Sequence, residues 1–176
     1  MTPYQLHVAK YRHCKRCALS QQRNKVVFVR GVLPCDILFI GEAPGSSEDV
    51  LGRPFVGPAG KLLDRIIQEG LDKRKTFAIT NLVGCMPKDG ANAKGEPSLE
   101  AIKACREKLL ELIALAKPKV IVVVGGLARK HVPFIAGVRQ VDLIHPAAIL
   151  RMDVSQQGLA YQRSVIVLRD VFDVPF

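Results

Sequence analysis

The sequence predicts an α/β fold: a central, mostly parallel sheet of four strands flanked by helices, in a single domain over residues 1–176. Three observations lead there. Short apolar runs closed by glycine or proline, such as Val120–Val124 before Gly125 and Gly126, read as strands buried on both faces. The segments between them repeat apolar residues at helical spacing. Strands alternating with helices give a parallel sheet covered on both sides, and such sheets bind ligands beyond the carboxyl ends of their strands.

Residues 1–22 read as a short helix running into a cysteine-bearing turn, and Lys25–Val32 as a strand or hairpin arm before the Leu33–Pro34 break. Asp36–Ile40 is the first strand. From Gly57, the positions Ala59, Leu62, Leu63, Ile66 and Ile67 predict a helix that Gly70 stops. Thr76–Leu82 is the second strand, followed by a loop over Met86–Pro97. Ser98 caps the next helix and Glu100 favours its first turn. Its buried stripe runs through Ile102, Cys105, Leu109, Leu112, Ile113 and Ala116 and ends before Pro118. Val120–Val124 is the third strand, Gly126–His131 a short helix, and Val138–Ile144 a fourth strand that delivers His145. Gln156–Phe172 starts as a helix, and Ser164–Leu168 also admits a last strand. No internal repeat or low-complexity segment interrupts this order.

Composition narrows the function. The net charge of +10, from 26 Lys and Arg against 16 Asp and Glu, favours a polyanionic partner, most economically nucleic acid. Trp is absent and aromatics make up 6%, which argues against a broad base-stacking platform, so recognition has to lean on phosphates and one pocket. No apolar run approaches the ~20 residues needed to span a bilayer. The N-terminal stretch lacks the apolar centre of a signal peptide, giving the expectation of an intracellular, cytoplasmic and nucleoid-associated protein without a membrane partner. Five cysteines in such a chain suit metal or cluster binding better than disulfides.

Two groups of residues carry candidate chemistry. Gly41–Gly60, GEAPGSSEDVLGRPFVGPAG, packs five glycines and three prolines directly after a buried strand, as expected of backbone laid closely against a ligand. Cys14 and Cys17 form C-x2-C, Cys85 follows the second strand, and Cys105 lies on the inward face of a helix. By count these four suit zinc or a 4Fe–4S cluster equally well. Cys35 matches no motif and reads as a structural thiol. His7, His13 and His131 match none either and are expected near the surface.

GEAPG, then Glu48-Asp49, then GxPFVGxAG, together with ITN before Cys85 and His145-Pro146-Ala147-Ala148, resembles the family 4 (iron–sulfur) uracil-DNA glycosylases. The likeness runs from Cys14 to Arg151. It implies the three-layer sandwich of that superfamily and hydrolysis of the N-glycosidic bond of deoxyuridine in DNA, leaving an abasic site. It also implies that Cys14, Cys17, Cys85 and Cys105 ligate a 4Fe–4S cluster tying the N-terminal arm down, although the Cys85–Cys105 segment is longer than is usual in the family. That arm and the helix bearing Cys105 would then shape a basic surface with Arg12, Lys15, Arg16 and Arg106.

By the same resemblance Asn81 pairs with the uracil edge, Phe55 stacks on the base, and Gly41 and Ala43 line the pocket. His145 donates to O2 as charge develops there. Ala43 stands where the best-known uracil glycosylases carry a water-activating Asp, so Glu42 is left to position water or brace the turn. Asp49 reads as an exposed loop carboxylate, with water positioning as its alternative role. Leu150 and Arg151 are candidates to fill the gap left by a flipped nucleotide and to bind phosphate. No lysine is placed for a Schiff base, so no strand cleavage is expected.

Partners are uracil-containing DNA and, beyond it, replication or repair proteins, with the chain itself a monomer. The rival readings are a non-catalytic iron–sulfur module that recruits a polymerase, and a glycosylase for another deaminated base. A variant that traps DNA covalently needs a histidine after the second strand, and none lies between Asn81 and Cys105.

Overall fold

The computed structural model describes residues 1–88 and 95–172. The sheet has the order β1-β3-β2-β4-β5, with β1 at Arg30–Gly31, β2 at Ile37–Gly41, β3 at Phe77–Asn81, β4 at Val120–Val124 and β5 at Arg139–Leu143. β2 to β5 are mutually parallel and correspond to the four expected strands. A fifth, two-residue strand, β1, pairs antiparallel with β3 and makes the sheet mixed. It is all that forms of the Lys25–Val32 arm. The arm's remaining residues spend their hydrogen bonds elsewhere: Val27 N–H goes to Gly84 O at 2.7 Å and Phe28 O accepts from Thr80 Oγ1 at 2.6 Å.

Helices α1 (Pro3–Tyr11), α2 (Ser46–Leu51), α3 (Pro58–Gly70), α4 (Leu99–Ala116), α5 (Gly126–His131), α6 (Pro146–Leu150) and α7 (Val154–Arg169) complete the chain. Strand residues alternate between two cores, as the period of two requires. Leu38, Ile40, Ala78, Ile121 and Val123 face α4 and α5, where Leu109, Ile113 and Ala128 meet them. Ile37, Phe39, Ile79, Val122 and Val124 face α3 and α7, through Leu63, Ile66, Val165 and Leu168. The result is three layers. The stretch Ser164–Leu168 is helical, because Val165 and Leu168 are needed on the inward stripe of α7.

Two local features differ from a plain glycine-rich loop over Gly41–Gly60. Ser46–Leu51 winds into α2, and Glu48 organises the whole turn. Its carboxylate accepts from Gly45 N at 3.1 Å, Val56 N at 2.8 Å and Gly57 N at 2.8 Å. Asp49 is buried at 1% exposure, not on the surface. It accepts from Asn24 N and Nδ2, at 2.9 and 2.7 Å, and pairs with Lys88 at 3.2 Å.

The N-terminal arm docks on α4. Lys10 pairs with Glu107 and Glu111, Arg16 with Glu107, and His7 Nδ1 lies 3.3 Å from Glu111. His7 is therefore buried against Tyr11 and Phe28, contrary to its expected surface position. Ser98 caps α4 by accepting from Ala101 N at 3.2 Å, and the expected stripe is buried throughout. Part of the Met86–Pro97 loop lies outside the described residues. Among the described residues, no helix is long and apolar enough to cross a membrane.

Candidate active site

β2 sits at the centre of the sheet, with the chain leaving it toward β3 on one side and returning to β4 on the other. The crevice at the carboxyl ends of β2 and β4 is where such folds place ligands. Gly41 is the last residue of β2 and is in register with Asn81, the last of β3. A Cβ on Gly41 would lie 2.5 Å from Phe55 Cζ and 2.6 Å from Asn81 Oδ1, so glycine is what lets these two side chains converge.

Phe55 is held there forcibly. Its φ of 53° lies in the left-handed region, a strained setting for an aromatic residue. Arg30 donates from Nε to Pro54 O at 2.8 Å and from Nη2 to Phe55 O at 3.2 Å, while pairing with Asp64. Gly60 has no side chain because its Cβ would fall 1.8 Å from Phe55 O. Asn81 is 3% exposed, and its Oδ1 is buried without a hydrogen-bond partner among the described residues. An unpaired buried carbonyl is costly unless something arrives to donate to it.

The other wall comes from β4, β5 and α6. Gly125, at φ 98°, follows β4, and a Cβ there would lie 2.5 Å from Glu42 Oε1 and 3.1 Å from His145 Cδ2. Glu42 Oε1 accepts from Leu127 N at 3.1 Å. Burial raises the Glu42 carboxyl above the ordinary range, aided by the like charge of Glu96 and opposed by Leu127 N–H and Arg151. His145 caps α6, with Nδ1 accepting from Ala147 N at 3.1 Å. An accepting Nδ1 fixes the neutral tautomer with its proton on Nε2. Burial and then the Arg151 charge push the imidazole below its usual value, which keeps that neutral form at near-neutral pH.

A cavity of about 800 Å³ opens on this wall, lined among others by Glu42, Gly125, Arg129, His145, Ala148 and Arg151. Asn81 and Phe55 are not part of its lining. They sit behind it around Gly41, joined to it by Phe55, whose ring centroid is 5.9 Å from that of His145. Ala43 is half-buried in the turn between the two walls. Leu150 is 44% exposed at the end of α6, and Arg151 reaches the cavity edge. Asp49 lies in the tie to Asn24 and so takes no part in either wall. The sequence reading missed Glu48, Arg30 and Gly125 as organisers. Glu48 stands three residues after Gly45 at a helix start, a legible signal. Nothing local announces that Arg30 reaches a carbonyl 25 residues away.

The cysteines gather on the other core. Cys85 and Cys105 are buried there, with Cys17 packed against them. Burial raises the Cys17 thiol, with Cys105 and Cys14 as smaller contributors in the same direction. Burial pushes the Cys85 thiol up to about 11. All five cysteines are free thiols, and Cys35 is buried in the same core as Cys85 and Cys105. Among the described residues, no three His, Cys, Asp or Glu side chains stand close enough to hold a single metal ion.

Comparison with known proteins agrees with this architecture. The description of the uracil DNA glycosylase superfamily matches residues 28–166. A type-4 uracil-DNA glycosylase of Sulfurisphaera tokodaii is 42% identical over 121 residues, 68% of this chain and 53% of the relative. The chain thus spans about half the length of that relative. A type-4 uracil-DNA glycosylase of Pyrobaculum aerophilum is 33% identical over 162 residues, 80% of this chain and 81% of the relative. Among solved structures, Pedobacter heparinus SMUG2 superposes with a TM-score of 0.61 at 16% identity, covering 80% of this chain and 77% of the other, a likeness of fold. On these matches, the chain belongs to the uracil-DNA glycosylase superfamily and, within it, to the type-4 family.

Proposed function

We propose that the protein hydrolyses the N-glycosidic bond of deoxyuridine in DNA, without cleaving the strand, as the first step of base excision. The observation that carries this reading is the buried Oδ1 of Asn81, unpartnered among the described residues, beside Gly41 and Phe55. A carbonyl acceptor at that spot matches uracil N3–H, and the same carboxamide donates to O4. Cytosine presents the opposite polarity along that edge. Phe55 stacks on the extruded base, and its fixed backbone supports that placement.

Cleavage moves the electron pair of the C1′–N1 bond onto the base, the oxygen of a water molecule bonds to C1′, and the proton that this water releases balances the negative charge left on the base. His145 donates from Nε2 to uracil O2 as negative charge builds there, a role supported by its occupied Nδ1. Glu42, which lines the same cavity beside His145, orients the water, and Arg151 in that lining takes a backbone phosphate. Leu150, exposed beside it, fills the gap in the stack. The charge of +10 favours the DNA partner.

The same reading gives Cys14, Cys17, Cys85 and Cys105 to a 4Fe–4S cluster. The donor set fits: four free thiols share one neighbourhood, and Arg23 links two of their segments by donating to Cys14 O at 2.6 Å and Cys85 Sγ at 3.5 Å. When bound, the cluster staples the N-terminal arm to α4. The experiment is uracil release from labelled single- and double-stranded oligonucleotides, with Asn81→Ala and His145→Ala alongside. Release that collapses in both variants supports the enzyme and its pocket together. No release from intact, cluster-loaded protein overturns it in favour of a DNA-binding module.

A further inference from the structure

Lys108 has no part in the chemistry above, yet it is only 3% exposed. It lies on α4 one turn beyond Cys105, with Nζ 5.6 Å from the centroid of Phe28. A Cβ on Gly84 would come within 2.9 Å of that Nζ, so the glycine preceding Cys85 leaves room for the ammonium. No carboxylate pairs with it among the described residues. The acidic neighbours on the same helix are committed elsewhere, Glu107 to Lys10 and Arg16, and Glu111 to Lys10 and His7. Burying an ammonium without a counter-charge is strongly unfavourable. Burial accordingly pushes its pKa down, and the groups that oppose this are Cys105, Cys85 and Cys14. A second cation reaches the same thiols: the Arg23 guanidinium donates to Cys85 Sγ and to the Cys14 carbonyl.

We propose that Lys108 and Arg23 are the counter-charges of the cysteine centre, two cations built into the fold to hold the net negative charge of a four-thiolate iron–sulfur cluster in a buried site. The inference rests on the reading of Cys14, Cys17, Cys85 and Cys105 as cluster ligands. It adds that the neighbouring cations govern how firmly the cluster is retained and at what potential it accepts an electron. A cation near the cluster favours its more negative, reduced state by Coulomb attraction, so removing one lowers the potential.

The test uses cluster-loaded protein prepared without oxygen. Iron per chain, loss of the cluster's visible absorbance in excess chelator, and midpoint potential by voltammetry are measured for wild type, Lys108→Met, Lys108→Arg and Arg23→Gln. Lys108→Met keeps the length of the side chain and removes its charge. We expect it to lose the cluster several-fold faster and to shift the potential negative. Arg23→Gln moves both in the same direction by less, and Lys108→Arg restores most of the wild-type behaviour. A Lys108→Met protein with wild-type retention and potential overturns the proposal, as does Lys108→Arg behaving like Lys108→Met, which would make the residue a packing element. Should Lys108→Met fail to fold, an unshifted potential in Arg23→Gln overturns it equally. Wild-type protein without iron removes the cluster reading as well, whereas loaded wild type with indifferent variants removes this inference alone.

Discussion

The two ends of this molecule are built on opposite principles. At the carboxyl end of the sheet, the walls are fixed by backbone: Gly41, Gly60 and Gly125 each occupy space where a single methyl group would collide with Phe55, Asn81, Glu42 or His145. On the α4 side, the cysteines come from residues far apart in sequence and are joined by long side chains, Arg23 among them. Among the described residues, the first end leaves Asn81 Oδ1 an orphan acceptor, and the second leaves Lys108 buried without a carboxylate. Each orphan names the charge or polarity of what belongs beside it. On the proposed reading, the pocket meets a donor from a substrate that comes and goes, whereas the thiol side holds a resident anion.

The largest expected effects break the first end. His145→Ala or Asn81→Ala should lower uracil release by roughly 10²–10³-fold, the scale seen on removing one donor to a developing oxyanion, with the melting temperature little changed. Single-turnover release and a thermal melt check both halves of that statement. Gly60→Ala should instead cost stability, about 3 kcal/mol or more, because the Cβ meets Phe55 O at 1.8 Å and neither backbone can yield. Denaturant unfolding measures it, and a wild-type midpoint would show that the Phe55 turn is softer than its geometry.

Asp49 separates architecture from chemistry. Asp49→Ala leaves the Asn24 amides unpaired and should destabilise by about 2 kcal/mol, while folded protein keeps its release rate. If release were lost at full stability, Asp49 would belong to the reaction and not to the frame. Glu42 gives a pH signature. Its carboxyl titrates above the usual 4.5, so its carboxylate is lost as pH falls through that raised value, and release should drop on the acid side accordingly. Glu42→Gln should have a lower plateau and no such limb. The smallest effect is that of Arg151→Ala, which should weaken DNA binding evenly across sequences and reduce the slope of log K against log salt by about 1.

Much of this was legible without coordinates, because the relevant signals are local. Val120–Val124 and Gly126–His131 have the bounds expected from apolar runs and glycines, and the α4 stripe is buried as its spacing requires. The residues of the GEAPG and His-Pro motifs also stand at strand ends, as alternation of strands and helices implies. Other features turned on partners distant in sequence. Ser164–Leu168 has a strand's composition and a helix's position, and the core between α3 and α7 decided in favour of the helix. Asp49 and His7 look like surface residues in sequence and are buried because Asn24 and Glu111 come to meet them.

The sequence by itself determined the layered α/β architecture, the motif residues and the four candidate thiols, since periodicity, glycine placement and residue chemistry are written along the chain. Only the tertiary structure decided which groups are left unsatisfied. Whether Asn81 Oδ1 or the Lys108 ammonium has a partner depends on what the rest of the fold brings within about 3 Å, and no pattern in one segment encodes what a distant segment withholds.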